Sequence, residues 1–409
     1  MPALRVHPDN PRYFADASGR AVYLTGSHHW DSLVDNAERP GGFDFPAYLD
    51  RLTAWGHNFI RLWVVEAWLG EVSTLPYERV GSRFDLDRFN PEYFARLRQR
   101  VALAGERGFY VSVMLFNVWS IHDKGEGNPW DRHPFNRRNN VNGIDGDPNA
   151  RGEGSDLHTL RVPAATRLQE AYVEEVVRTV GDFDHVLWEI SNESQGESHA
   201  WQVHLVLHLN TIDGGRHPVG MTYAFPGGRN ADLFAGPADW VSPGNKGGWR
   251  RSPPPADGRK VVLVDTDHLW GIGGGRDWVW KTFLRGHHPI YMDPLDNDPD
   301  REGARRAMGD TLRLSRRIDL AASVPDARDY ALVNRTPGNE EVLTWTPRGK
   351  VKLDLREIAG PLTAEWLDPR TGASVDGGLV EGGARRKLRA PFEGEAVLLL
   401  RAVSATRSA

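Results

Sequence analysis

At 409 residues the chain is longer than one ordinary domain, and 40% hydrophobic against 26% charged residues is the balance of a soluble globular protein, not a disordered or membrane one. Fifty Lys+Arg against 55 Asp+Glu leave a net charge of −5, too small and too evenly spread to point to nucleic acid. The absence of cysteine excludes disulfides, thiolate-held metals and a thiol nucleophile, while 15 Trp, 15 Phe and 10 Tyr promise flat apolar platforms as well as core filling.

The start, Met1 to Pro8, lacks the basic residues and apolar run of a secretory signal, and no stretch approaches the roughly 18 apolar residues of a membrane span. The expectation is a soluble, cytoplasmic protein without a membrane partner, with a removed signal as the open alternative. Residues 1–20 read as a small hairpin, Leu4–Val6 and Tyr13-Phe14 around a Pro/Asn turn. Eight short apolar strands follow: Val22–Gly26, Phe59–Val64, Tyr110–Phe116, His185–Ile190, Val219–Tyr223, Trp240–Ser242, Lys260–Asp265 and Pro289–Met292. Amphipathic stretches such as Phe45–Trp55, Pro91–Arg107 and Ala164–Val180 separate them, the second opening on an Asn90 cap with Pro91 in its first turn.

Strand–helix alternation implies parallel pairing, and eight such units predict a (β/α)₈ TIM barrel over residues 1–322. A doubly wound sheet would carry a Gly-rich turn after its first strand, and Gly26-Ser-His-His-Trp is no phosphate cradle. The connections 117–163 and 226–259 are far longer than usual and are placed to shape the active-site face, favouring a closed pocket and a small or terminal sugar. From 323 to 409 the rhythm changes to strands between Pro/Gly/Asn turns, which predicts an antiparallel β-sandwich.

Catalytic groups on a barrel come from the C-terminal ends of its strands. The fourth strand ends Trp188-Glu-Ile-Ser-Asn192-Glu193, and the seventh ends Asp265-Thr-Asp267-His268. Side chains alternate along a strand, so Asp265 shares a face with Asp267, and Glu189 with Glu193. Strands four and seven lie on opposite sides of an eight-stranded barrel. Carboxylates at their tips therefore face each other, as glycoside hydrolysis requires.

The Asn192-Glu193 ending, an acid ending strand seven, and Arg61 in Asn58-Phe-Ile-Arg61-Leu-Trp resemble the clan A glycoside hydrolases. The layout is most similar to their apiosidase-like branch, whose barrel is followed by a sandwich labelled collagen-binding. Trp366-Leu-Asp368-Pro369-Arg370-Thr371-Gly372 resembles a strand and turn of that sandwich. The resemblance implies a retaining enzyme with no cofactor and no metal, Glu193 as acid/base, Asn192 on the sugar 2-hydroxyl, and Arg61 beside the nucleophile. The clan nucleophile is usually Glu, whereas this strand offers Asp265 and Asp267. The shorter side chain leaves retention, at about 5–5.5 Å between carboxyls, or inversion, at about 6.5–9.5 Å, open.

Asp267 is favoured as nucleophile because two residues of rise carry it about 6.6 Å closer to the rim than Asp265. His28 and His29 close the first strand and point to opposite faces, so at most one enters the barrel mouth. Glu66 and Trp68, Trp119 and His122, and Tyr223 follow strands two, three and five, placed either to line the pocket or to pack. His268 stands beside Asp267, and Trp270 is the better sugar platform. Asp293, after strand eight, binds substrate or caps a helix. Gly271–Gly275 lacks a phosphate-binding Lys-Ser/Thr and reads as a loop beside the nucleophile. Two other functions remain: a metal-dependent hydrolase using His28 or His29 with Asp265, Asp267 and His268, and a non-catalytic carbohydrate binder.

Overall fold

The computed structural model describes residues 1–35, 42–70, 72, 74–122, 125 and 127–403. Eight parallel strands form its centre: β1 (Gly26–His28), β2 (Phe59–Leu62), β3 (Tyr110–Asn117), β4 (Val186–Asn192), β5 (Val219–Thr222), β6 (Trp240–Ser242), β7 (Val261–Asp265) and β8 (His288–Met292). Their ladder runs β1-β8-β7-β6-β5-β4-β3-β2. The two ends of that order meet, because Asn58 N–H donates to the Thr25 carbonyl at 3.1 Å and Thr25 N–H to Asn58 Oδ1 at 2.9 Å. Gly26 permits this approach, since a Cβ there would lie 2.1 Å from the Phe59 carbonyl oxygen. The result is a nearly closed TIM barrel.

Helices α1 (Phe45–Trp55), α2 (Pro91–Glu106), α3 (Pro163–Val180), α4 (His199–Asp213), α5 (Asn230–Ala235), α6 (Arg276–Leu284) and α7 (Pro299–Ser315) follow every barrel strand but β6, from which the chain passes to β7 without a helix. Local chemistry sets their starts. Asp44, Asn90 and Asp298 accept first-turn N–H groups, each followed by proline early in the helix. From α1, Phe45, Tyr48, Leu49 and Leu52 turn inward at helical spacing. Among the described residues no helix is long and apolar enough to cross a membrane.

The first strand differs from the sequence reading. Val22 pairs with Phe14 in a three-stranded sheet of Arg5–Val6, Phe14–Ala15 and Ala21–Val22, and the barrel strand starts only at Gly26. Leu4 and Phe14 bury with Leu24, Phe59, Tyr110, Leu187 and Val261, at or beside the N-terminal ends of barrel strands, so this sheet plugs the bottom. β4 runs on to Asn192, where Ser191 and Asn192 stay in register with Phe116 and Asn117. A hairpin of Tyr77–Val80 and Arg83–Phe89 between β2 and α2 was not predicted: only Phe84 and Leu86 alternate with charged residues there before Asp87-Arg88 ends the pattern.

The last 80 or so residues form a six-stranded antiparallel sheet faced by the two-stranded pair Lys350–Asp354 and Arg385–Arg389. Val342, Leu353, Leu355, Leu362, Trp366 and Leu398 bury between them, making a sandwich. Alternation along Glu341–Thr346 sends Val342 into the sandwich and Leu343 and Trp345 into the barrel's apolar core, beside residues of α6 and α7. Strand Ser374–Glu381 lacked an apolar signal because nearly all of it is exposed.

Candidate active site

A cavity of about 800 Å³ opens at the C-terminal ends of the barrel strands. Its lining includes Trp63, Trp119, Glu193, Tyr223, Asp267, His268 and Trp270. Beneath it lies a buried cluster of charge centred on Arg61 of β2. The Arg61 side chain is 3% exposed and donates Nε and Nη2 to Glu189 at 2.9 and 2.5 Å, Nη1 to Asp265 at 2.9 Å and to Asp267 at 3.2 Å, and Nη2 to Asn192 Oδ1 at 2.9 Å. One guanidinium thus faces three carboxylates. Burial favours its neutral form, but Glu189 and Asp265 outweigh that and push Arg61 further above its ordinary range.

The two aspartates of strand seven have opposite surroundings. Asp265 is saturated: His28 Nε2 reaches it at 2.9 Å, Arg61 at 2.9 Å and the Asp267 backbone N–H at 2.9 Å. Burial raises its pKa, yet His28 and Arg61 prevail and hold Asp265 well below the usual carboxylate range. Asp267 lines the cavity and has Arg61 at 3.2 Å as its close cation. Burial, with the neighbouring Asp265 charge, lifts Asp267 to about 6 against the pull of Arg61.

Glu193 stands one residue beyond β4 with φ +44°, a left-handed conformation that is uncommon outside glycine. Its carboxyl faces the cavity, and no described residue hydrogen-bonds to it. Burial first, then the charge of Asp267, raises it to about 8. At neutral pH this site therefore holds a protonated acid opposite an ionised one.

The histidines are oriented by their partners. The Trp63 indole can only donate, so its 2.8 Å bond to His28 Nδ1 makes that nitrogen an acceptor and leaves Nε2–H to donate to Asp265. His268 Nε2 lies 3.0 Å from Asn192 Oδ1, and its Nδ1 lies 2.7 Å from Ser242 Oγ. Burial, then Arg61, depresses His268 to about 3, so it is neutral. Both rings have both nitrogens committed, and among the described residues no group of three His, Asp or Glu could hold a metal.

The structure brings together Arg61, His28, Asn192, Glu193, Asp265, Asp267 and His268, with Trp119, Tyr223 and Trp270 on the cavity wall. It places three other candidates elsewhere. His29 points away and stacks on Phe43 and Trp30 at 4.9 and 4.2 Å. Glu66 turns beneath the loop after β3, accepting from Asn117 N–H at 2.7 Å and His158 Nε2 at 2.9 Å, with His133 Nε2 at 3.4 Å. Those contacts overcome burial and keep Glu66 far below its ordinary range. Asp293 neither reaches the cavity nor caps a helix; it takes a two-pronged bond from Arg305 of α7, at 2.8 and 2.5 Å. Trp63, Asn117 and Ser242 were not singled out from the sequence. Asn117 and Ser242 end β3 and β6, the position at which polar residues were sought on other strands.

Residues 8–142 match the family model described as Apiosidase-like, catalytic domain. The match holds His28 and Arg61 and ends before Glu193. Among solved structures, one called "Glycoside hydrolase" shares 15% identity at TM-score 0.63, covering 98% of this chain and 97% of its own. A family 5 glycoside hydrolase from Bacteroides vulgatus shares 14% at TM-score 0.60, with 98% and 93% covered. A family 5 mannosidase from Rhizomucor miehei shares 13% at TM-score 0.51, with 78% and 100% covered. At these identities the structural likeness is one of fold. No functionally curated sequence matches the chain.

Proposed function

We propose that this glycoside hydrolase, similar over residues 8–142 to the apiosidase-like family, cleaves its bond with Glu193 as acid/base and Asp267 as nucleophile. One observation carries the reading. Two cavity-lining carboxyls on opposite barrel strands are both raised by burial, but only Asp267 is hydrogen-bonded to the Arg61 guanidinium, which favours its ionised form.

Glu193 gives its proton to the glycosidic oxygen as the bond from the anomeric carbon breaks. An Asp267 oxygen attacks that carbon from the other face and forms a glycosyl ester. Ionised Glu193 then takes a proton from water, whose oxygen displaces Asp267 and releases the sugar. Asp265 is an unsuitable nucleophile because its oxygens are occupied and it does not line the cavity. It acts as a fixed negative charge that favours the proton on Glu193. Asn192, buried behind the cavity lining, ties Arg61 to His268, and Trp270 offers a stacking face to the sugar. Residues 323–403 support the barrel through α6 and α7 and contribute nothing to the described cavity lining; ending the chain at 322 should cost solubility, measured as soluble yield of the isolated barrel.

The test is a panel of chromogenic glycosides assayed with wild type and Glu193→Gln side by side. The wild type should turn over at least one member, and Glu193→Gln should be slower by about 10²–10⁴-fold. Equal rates for the two proteins would remove Glu193 from the mechanism.

A further inference from the structure

The loops after β2 and β3 build a satellite beside the active cavity. Phe84 N–H donates to the Asn139 carbonyl at 2.7 Å, and Val141 N–H to the Phe84 carbonyl at 2.9 Å, stitching the unpredicted hairpin to the long loop. Tyr77, Phe84, Leu86, Trp130 and Phe135 bury together as a separate small core. The satellite is therefore a packed wall beside the active cavity.

Between this wall and the start of the loop after β2 lies a second cavity of about 500 Å³. Trp68 and Val72 line both cavities, so the two meet along one edge. Trp68 is half-exposed, and its ring lies 6.1 Å from Trp119 at 31°, giving paired indoles at the junction. The far side carries Arg79, Ser82, Arg132 and Asn139. Two arginines nearby are matched to acids, Arg88 to Glu78 at 2.6 Å and Arg138 to Asp131 at 3.1 Å. Arg79 and Arg132 make no ion pair among the described residues. Arg79 lies 4.2 Å over the Phe84 ring and donates to the Ser82 carbonyl at 3.5 Å, and Arg132 donates to the Gly70 carbonyl at 3.3 Å.

Indole faces at one end and unpaired planar donors at the other suit a hydroxyl-rich ligand with apolar CH faces. An 800 Å³ active cavity already lies within the about 300–1,000 Å³ of an ordinary ligand site, so the extra 500 Å³ is room for a longer one. We infer that the groove beyond Trp68 is a further sugar-binding subsite, and that the substrate is an oligosaccharide of at least three units running from the carboxylate pair across Trp68 to Arg79 and Arg132. This rests on the glycosidase reading of the main cavity.

The test uses Glu193→Gln protein on an array of plant and bacterial oligosaccharides of one to six units, followed by titration of the series it binds. Affinity should rise at least fivefold from the disaccharide to the tetrasaccharide. Adding Arg79→Ala and Arg132→Ala should remove that gain, and so should Ser82→Trp, which fills the groove from an exposed turn. Length-independent affinity, an undiminished gain in these variants, or no bound glycan would each overturn the inference. Wild type is assayed on the same series: binding without cleavage would reject the glycosidase reading and leave the subsite standing.

Discussion

Arg305 on α7 meets one buried carboxylate, while Arg61 on β2 meets three. Asp293 and Arg305 are both 0% exposed and bond through two prongs; the other acids near Arg305, Asp296 and Glu302, lie at 3.4 and 3.7 Å and reach solvent. The charges there cancel, and the pair ties β8 to the outer helix. Around Arg61, the side chains of Glu189, Asp265 and Asp267 are 0, 2 and 8% exposed. One guanidinium faces three carboxylates, and His28 adds a hydrogen bond to Asp265 alone. The excess negative charge, added to burial, is what keeps a proton on Glu193. Two buried arginine–carboxylate sites in one barrel thus differ in stoichiometry, and that difference separates a structural tie from a site able to do acid–base chemistry.

Substitutions can break this contrast, the largest effects falling on the chemistry. Asp267→Ala should lower kcat/KM by on the order of 10⁴-fold or more, measured on whichever chromogenic glycoside the wild type turns over. Arg305→Met leaves Asp293 buried without its counter-ion and should destabilise the fold by about 3–5 kcal/mol in urea titrations. The surviving activity should keep its pH profile, whereas an altered profile would show that the two sites are coupled.

The pH profile sharpens the comparison. Turnover needs Asp267 ionised and Glu193 protonated, so activity should fall below about pH 6 and above about pH 8. Asp265→Asn removes a negative charge that disfavours ionisation of both groups, so both limbs should move to lower pH. The smallest effect is expected of Trp63→Phe, which deletes the N–H that fixes the His28 tautomer. One hydrogen bond at about 1 kcal/mol corresponds to a fall in kcat of roughly fivefold.

Strand–helix alternation made the barrel legible, and the two-residue period alone placed Asp265 with Asp267. Other features depend on contacts that no local pattern carries. Arg61 joins strands two, four and seven only when the barrel closes, with partners 128, 204 and 206 residues away. The choice between His28 and His29 turns on which one meets Trp63 and Asp265. Glu66 looked like a pocket acid because its partners, His133 and His158, come from a loop without secondary-structure signal. Asp293 ends its strand as a catalytic acid would, and only Arg305, a full helical segment later, reveals its structural partner. The first barrel strand was misplaced because Val22, the apolar residue that marked it, serves the plug beneath the barrel.

The central claim is that Asp267, and not Asp265, attacks the sugar. Chemical rescue tests it directly: Asp267→Gly and Asp265→Gly are each assayed on an activated aryl glycoside with and without azide. The account predicts that azide restores turnover to Asp267→Gly and yields a glycosyl azide of inverted anomeric configuration, with no such product from Asp265→Gly. Rescue confined to Asp265→Gly would exchange the roles of the two aspartates, and rescue of neither would contradict the covalent mechanism.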